Sequence, residues 1–485
     1  MTSSNERTLF GHPIGLFVLF FTEMWERFSY YGMRAILFLY LTKAASEGAL
    51  GLPEDQGGAI MGLYMASVYL LTLPGGWIAD NILGQKKSIW YGAITIMLGH
   101  LVLAIPGSKE IFFAGLSLVA IGTGLLKANI SSVVGELYPE GGARRDAAFS
   151  IFYLGINLGA FLGMFIVGYL GEKVGWHYGF GAAAFAMLFG VINFRLNSKY
   201  LKDIGNEPET KSPLTYVYVV IGLLVGTALL LISGVLDSIG LANIMKYVIS
   251  AITIGYFAYI GFMDKSLTVV ERKRVGVLFI LFVGISIFWS GFEQASTTLT
   301  IFADRHTDRH LFGWELPASW MQNANSFFIL LFSAPVGTLW IFLNRKNLNP
   351  ALPVKFGLGL IQMGLGFFVM YLAAQRVLDG SLAGMGWLAA TYLLHTLGEL
   401  FASPVGLSAY TKLAPKKYYS QLMGLWFVGA SLGNLIAGLF AGNFNEENVE
   451  QMPALFYQVF LFGLGFGLLL LIFYKPIKNW MGGVK

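Results

Sequence analysis

Roughly fourteen stretches of mostly apolar residues succeed one another along this chain, each near the about 20 residues that a helix needs to cross the hydrocarbon core of a bilayer. Such stretches leave little choice of fold. Backbone polar groups in lipid must be satisfied internally, which a helix does within its own segment and an open strand does not. The approximate limits are 14–41, 57–80, 88–106, 111–134, 147–171, 178–197, 214–236, 241–263, 275–302, 318–343, 353–374, 384–411, 420–442 and 453–475. Composition agrees: 12% of the 485 residues are charged, where a soluble chain averages about 25%. The 60 glycines suit close helix packing in lipid. We therefore expect an all-α membrane protein with about 14 transmembrane helices. Residues 1–13 lack a charged n-region followed by a small-residue cleavage site, so the first segment reads as a retained helix.

An even number of spans returns both termini to one side, and Lys and Arg assign that side to the cytoplasm. Arg7, Lys86, Lys87, Arg144, Arg145, Arg272, Lys273, Arg274, Lys416, Lys417 and Lys485 are among the residues on it. Lys43, Lys109, Lys173, Lys246, Arg305, Arg309 and Arg376 lie on the other, an excess of about threefold for the inside. No sustained basic run with interleaved aromatics accompanies the net charge of +5, so nucleic acid is not an expected partner. The absence of cysteine excludes disulfides, thiolate metal ligands and a cysteine nucleophile. A polar segment at 197–212 and a basic linker at 264–274 bracket two spans with almost no internal charge. The expected organisation is an N-terminal six-helix bundle over 1–200, a linker with an inserted transmembrane hairpin over 201–274, and a C-terminal six-helix bundle over 275–485.

The first span carries charges that lipid would reject. Glu23, Arg27, Tyr30 and Arg34 follow an i, i+4, i+7, i+11 spacing and form one stripe, with Glu26 on its flank. A charge at the bilayer centre costs roughly 2.5–3.5 kcal/mol even on the lenient scale, so such residues line a pathway or pair with one another. Lys127 interrupts span four, Glu293 span nine and Glu399 span twelve. The unmatched bases Arg34 and Lys127 lie in the first half and the acids in the second, which suggests bridges. A bridge that never opens stabilises poorly compared with well-packed apolar residues. One that opens lets each partner take the oppositely charged end of a ligand, and a zwitterion would satisfy both. Trp289, Trp426, Tyr30, Tyr31 and Tyr69 accompany these charges, either as packing or as a pocket wall tolerant of varied apolar groups. Asn157 and Asn325 read as helix–helix hydrogen-bonding amides, and His100 as a satisfied packing histidine. Pro404, close after Glu399, can bend span twelve.

The loop Gly76-Trp77-Ile78-Ala79-Asp80-Asn81-Ile82-Leu83-Gly84-Gln85-Lys86-Lys87 fits GxxxDxxxGxKK and resembles the corresponding loop of the major facilitator superfamily. Asp80 could accept hydrogen bonds from a helix N-terminus, and the glycines permit a tight turn.

Glu23-Met24-Trp25-Glu26-Arg27-Phe28-Ser29-Tyr30-Tyr31 resembles the ExxERFxYY signature of proton-coupled oligopeptide transporters, and the blocks 149–161 and 398–408 agree with it. The resemblance implies the major facilitator fold, two six-helix bundles with the extra hairpin of bacterial members. It implies a proton-coupled symporter that imports di- and tripeptides across the cytoplasmic membrane by alternating access, as a monomer and without a cofactor or metal. Glu23, Glu26, Arg27 and Glu293 match proton-coupling positions. Arg34 with Glu293, and Lys127 with Glu399, resemble the two gate bridges. Glu399, Asn157 and Asn325 would receive the peptide amino group, and Arg34 and Lys127, with tyrosines such as Tyr30, its carboxylate. Tyr31, Tyr69, Trp289, Ser403 and Trp426 would complete the peptide site. The chain departs from the pattern at Ala128, where proline often follows the lysine, and at Phe292, which replaces an acidic residue of some relatives.

Two other readings compete with this one. The same scaffold could carry another small anion, such as nitrate or an organic acid, clamped by Arg34 and Lys127, but a lone anion has no use for Glu399. A membrane-embedded peptidase would need a catalytic constellation. The chain has no HExxH pair and no cysteine, its six histidines form no ligand cluster, and no GxSxG elbow is expected.

Overall fold

In the computed structural model of the chain, helix α1 runs from Ile14 to Thr42, immediately after Pro13, whose φ of −56° leads into the first turn. The structure describes residues 8–139, 142–219, 222, 226, 236–444 and 446–484. The span expected at 214–236 lies mostly outside these residues, as do Arg7 and Lys485.

The remaining long helices are α2 (Glu54–Leu70, carried on to Leu83 by further helical turns), α3 (Gln85–Leu103), α4 (Lys109–Glu136), α5 (Gly142–Tyr169) and α6 (Trp176–Asn197). After the linker come α7 (Ser238–Ala258), α8 (Val269–Phe292), the short α9 (Thr298–Arg305), α10 (Asn323–Arg345), α11 (Leu352–Leu378), α12 (Met385–Leu413), α13 (Tyr419–Ala441) and α14 (Met452–Ile472). Among the described residues ten helical segments are long and apolar enough to cross a membrane. Helices α1, α3 and α12, of 29, 19 and 29 residues, stand outside that set because charged and polar side chains dilute them. The helices match the expected spans to within a few residues, and the chain is a multi-pass membrane protein. Phe185, Phe262 and Phe462 are largely exposed on helix surfaces, an arrangement suited to lipid rather than to water.

Two compact units emerge. The first comprises Met1–Gly51 with Ser67–Asp237, and the second Leu52–Ala66 with Ser238–Lys485. In the first, α1 packs on α5 and α6, and α3 packs on α4 and α6. In the second, α11 packs on α12 and α14, α8 on α13, and α7 also on α13. The start of α2 belongs to the second unit for a physical reason. A Cβ on Gly58 would lie 2.3 Å from the carbonyl oxygen of Gly438, so the backbones of α2 and α13 touch where neither has a side chain.

The span expected at 275–302 is not one continuous helix. α8 ends at Phe292, Glu293–Ser296 form a 3-10 turn, and Thr297, with φ −130° and ψ −92°, precedes α9. Helix α12, by contrast, continues through Pro404, whose missing N–H leaves the Leu400 carbonyl without its helical donor. Helix α4 runs unbroken through Lys127 and Ala128.

Candidate functional site

One candidate cluster, in the first unit, is built on α1, and its position is set by small residues on α5. A Cβ on Gly159 would stand 2.1 Å from the Met24 carbonyl oxygen, and one on Gly163 2.2 Å from that of Phe28. The two backbones are therefore in contact beside the charged stripe. Glu23, Glu26 and Arg27 are all buried, at 3%, 0% and 2% exposure. Arg27 Nε lies 3.2 Å from Glu23 Oε1 and pairs also with Glu26 Oε2. Two acids thus share one arginine. The other oxygen of each, Glu23 Oε2 and Glu26 Oε1, has no hydrogen-bond partner among the described residues.

The expected aromatic companions surround these charges. The Arg27 guanidinium lies 5.0 Å from the Tyr30 ring centroid and 5.8 Å from that of Tyr31, and Arg34 lies 5.7 Å from Tyr31. Lys127 Nζ stands 4.3 Å over the Tyr69 ring and within Coulombic reach of Glu23. Such cation–ring contacts gain strength where water is excluded. Asn157, on α5, donates its amide N–H to the Tyr153 carbonyl one turn back, at 2.9 Å, and among the described residues not to another helix.

A separate candidate cluster, in the second unit, gathers at the break after α8 and on α12. Glu293 is buried at the first position of the 3-10 turn. Asn325 of α10 donates to Thr396 Oγ1 at 2.9 Å and to Glu399 Oε2 at 3.3 Å. It is the helix–helix amide expected from the sequence, and it holds the carboxylate of Glu399. Glu293 is within Coulombic reach of Glu399. Ser403 is half-buried one turn beyond Glu399. Trp289 is half-buried and edge-on to Phe288 and Phe292, at 5.6 and 5.1 Å. Trp426 is only 4% exposed and meets Tyr410 at 5.3 Å. A Cβ on Gly406 would lie 2.2 Å from its ring, so the indole fills the notch that this glycine leaves.

Several features escaped the sequence reading. His395, one turn before Glu399, is buried between Phe292 and Phe367, with ring centroids at 6.1 and 5.0 Å. Its i−4 offset from Glu399 was the available signal. His100 was expected to be satisfied; it is fully buried, and neither ring nitrogen has a hydrogen-bond partner among the described residues. The string GxSxG, expected to be absent, does occur as Gly429-Ala430-Ser431-Leu432-Gly433. It lies in the middle of α13, where Ser431 is buried and donates to the Ala66 carbonyl at 3.1 Å. A nucleophile elbow needs a sharp strand-to-helix turn that exposes the serine, so this serine packs a helix.

The loop motif clasps the linker that follows the first six helices. Gly84 has φ +76°, and a Cβ there would lie 2.5 Å from the Asn206 carbonyl oxygen. Lys86 donates to the Lys202 carbonyl and, at 3.0 Å, to Asn206 Oδ1. Lys87 and Lys211 both pair with Glu207, whose carboxyl is pulled down to about 2 by hydrogen bonds from Lys211 and Lys87. Asp80 is exposed, and Gly76 has no atom within 4 Å of where a Cβ would stand.

Comparison with known proteins adds a second line of observation. The sequence profile described as POT family matches residues 86–456. The peptide transporter YePEPT of Yersinia enterocolitica subsp. palearctica serotype O:3 is 39% identical over 505 aligned positions, covering 100% of this chain and 99% of its own. The di-/tripeptide transporter of Lactococcus lactis subsp. cremoris is 36% identical, covering 100% and 99%. A crystal structure of a peptide transporter POT in complex with sulfate superposes with a TM-score of 0.92 at 40% identity, covering 99% of this chain and 98% of the other.

Proposed function

This chain belongs to the POT family, a family of membrane transporters with the major facilitator fold rather than enzymes, and from that premise we propose that it is a proton-coupled symporter importing di- and tripeptides across the cytoplasmic membrane. The observation that carries the proton coupling is the buried cluster on α1. Glu23 and Glu26 converge on Arg27, and each keeps one carboxylate oxygen without a donor among the described residues. Two carboxylates on one arginine leave a negative charge that Lys127 balances from a distance. A proton arriving at either open oxygen removes that charge and weakens the hold on Arg27. Burial raises a carboxylate's affinity for a proton and a neighbouring guanidinium lowers it, so a small movement of the arginine can load or release the proton.

Peptide recognition follows from charge. Glu399, steadied by Asn325, is the acceptor for the peptide amino group, with Asn157 as a further contact. Arg34 and Lys127, flanked by Tyr30, Tyr31 and Tyr69, receive the carboxylate. Trp289, Ser403 and Trp426 contribute to the side-chain pocket, Trp426 by shaping it from behind. From the family resemblance, Arg34 with Glu293 and Lys127 with Glu399 act as alternating gate pairs, competed for by the ends of the peptide. The termini are cytoplasmic, the working unit is a monomer, and the proton replaces any cofactor. Each proton carried inward gains about 2.3 kcal/mol per 100 mV of membrane potential.

Reconstituted vesicles test this. Acid outside with a negative interior should drive dipeptide uptake, and excess unlabelled dipeptide, but not nitrate, should compete. Uptake that ignores both gradients, or that nitrate suppresses as well as dipeptide does, overturns the proposal.

A further inference from the structure

The connection between α9 and α10 carries an apolar tip for which transport has no evident use. Residues 307–316 fold into a small hairpin in which His310 pairs with Glu315 and Leu311 with Trp314. The two residues of its turn, Phe312 and Gly313, have φ of +52° and +81°. A two-residue turn of this kind needs positive φ at both positions and normally takes Asn or Gly. Here an aromatic residue occupies the first, a conformation disfavoured for a bulky side chain. That same Phe312 is 100% exposed, and Leu311 and Trp314 beside it are 45% and 43% exposed.

The hairpin is held rigidly. Arg309, 7% exposed, donates to the Leu316 carbonyl and, at 2.8 Å, to Glu315 Oε1, and pairs with Asp304 of α9 at 3.5 Å. Thr307–Asp308 form a parallel bridge with Ala383–Gly384 of the next loop at that end of the unit. That loop also exposes Leu382, and Leu378 is exposed at the end of α11 that leads into it. The strained aromatic is thus presented on a fixed support, where a flexible loop could have turned it inward.

We infer that this hairpin is a membrane-interface anchor, with Phe312 and its neighbours seated among lipid headgroups beside the second unit. The occupant follows from position. The hairpin leaves the end of one membrane-spanning segment at Arg305 and re-enters the next at Ala318. From Thr307 to Phe312 an extended strand reaches at most about 17 Å, two to three times a headgroup layer of roughly 5–8 Å, so the anchor has the hairpin leaning along the membrane surface rather than standing away from it. Trp and Tyr are the residues enriched at that depth, which Trp314 matches, and Phe312 and Leu311 add apolar surface beside it.

The chain contains no cysteine, so Phe312→Cys accepts a single environment-sensitive fluorophore. Labelled protein in lipid nanodiscs is compared with Ser46→Cys, which is exposed in the 3-10 turn Ala45–Glu47. The expected result is blue-shifted emission at 312, with quenching by headgroup-level nitroxide lipid at least about twofold stronger than at 46 and quenching by aqueous iodide correspondingly weaker. Iodide quenching equal to that at 46 would place the tip in water and overturn the inference. Shielding from both quenchers would place it against its own chain, and shielding seen only in discs holding two copies would place it against a second copy; either result also overturns it. Leu311→Cys repeats the measurement should Phe312→Cys fail to fold.

Discussion

Replacing Gly159 by Ala should uncouple the proposed proton cluster of Glu23, Glu26 and Arg27 while leaving every one of its residues in place. The new Cβ would stand 2.1 Å from the Met24 carbonyl oxygen and 3.1 Å from Arg27 Cβ. Ordinary contact begins near 3.4 Å, so α1 and α5 must separate by roughly 1 Å at this level, an overpacking strain of about 1–3 kcal/mol. Alanine returns about 1 kcal/mol through helix propensity, leaving a net loss of about 0–2 kcal/mol. The functional effect should be larger than the stability effect. Within α1 the pairs of Arg27 with Glu23 and Glu26 survive, since all three residues move together. Their register against α5, and with it their distance from Lys127 on α4, does not. Misplacement by about 1 Å can cost on the order of a hundredfold in a process that depends on placed charges.

The assay is dipeptide uptake into vesicles with and without a proton gradient, beside thermal unfolding in detergent. Gly159→Ala should lose at least about tenfold of gradient-driven uptake, with a fall of up to a few degrees in melting temperature. Gly465→Ala is the comparison, because nothing lies within 4 Å of its Cβ position. It should transport normally and melt no lower than the parent. Gly159→Ala with parental uptake and melting, or Gly465→Ala doing equal harm, would refute the reasoning.

Asn325→Ala removes two hydrogen bonds, one of them to Glu399, and should cost about 1.5–3 kcal/mol of apparent affinity for free dipeptides; N-blocked dipeptides should lose little, and equal losses for both would contradict the assignment of Glu399 to the amino group. Trp426→Ala empties a filled notch and should destabilise by about 3–5 kcal/mol, visible as poor melting. Trp289→Ala, half-buried, should instead raise KM with near-parental melting, and the reverse ranking would remove Trp289 from the pocket. Glu207 gives a pH prediction. Its carboxyl is lowered from an ordinary 4.5 to about 2 by Lys211 and Lys87, so its hold on the linker is complete above about 4.5 and is lost as pH falls towards 2. Hydrogen exchange of residues 203–212, corrected for intrinsic rate, should show protection decaying over that window, and Glu207→Gln should show the loosened linker already at pH 7; flat protection would mean that the clamp holds by other contacts.

The spans were legible because apolar length is a property of the chain read in one dimension. What was not legible depends on neighbours. The break at Glu293 contains neither Gly nor Pro, and nothing in Glu293-Gln294-Ala295-Ser296 forbids a continuous helix. Its polar side chains instead bond to nearby backbone, with Ser296 Oγ donating to the Glu293 carbonyl at 3.0 Å and Thr300 Oγ1 to that of Ala295 at 2.8 Å, an alternative to the helical ladder that these residues offer. The grouping of 52–66 with the second unit was equally hidden. Gly58 and Gly62 announce a close approach, but only the fold names Gly438 as the partner.

At the site, the same contrast separates which residues matter from what each one does. Lipid rejects charge, so Glu23, Arg27, Lys127 and Glu399 stand out in any apolar segment. Uncharged polar groups carry no such penalty signal, because a helix can satisfy them internally or across to a neighbour. Asn157 takes the first course and Asn325 the second, though the two read alike in sequence. Tryptophan is ambiguous for a related reason. Trp426 and Trp289 look equivalent as letters, yet Gly406 makes room for one and buries it, while the other remains half-exposed. The distinction sets an order of inference for this chain. Charges locate the stripe proposed to function, glycines on the facing helix fix its depth and register, and the remaining polar and aromatic residues acquire proposed roles only once that register is known. A substitution at Gly159 that leaves all the charges in place is therefore a sharper probe of coupling than removal of any one of them.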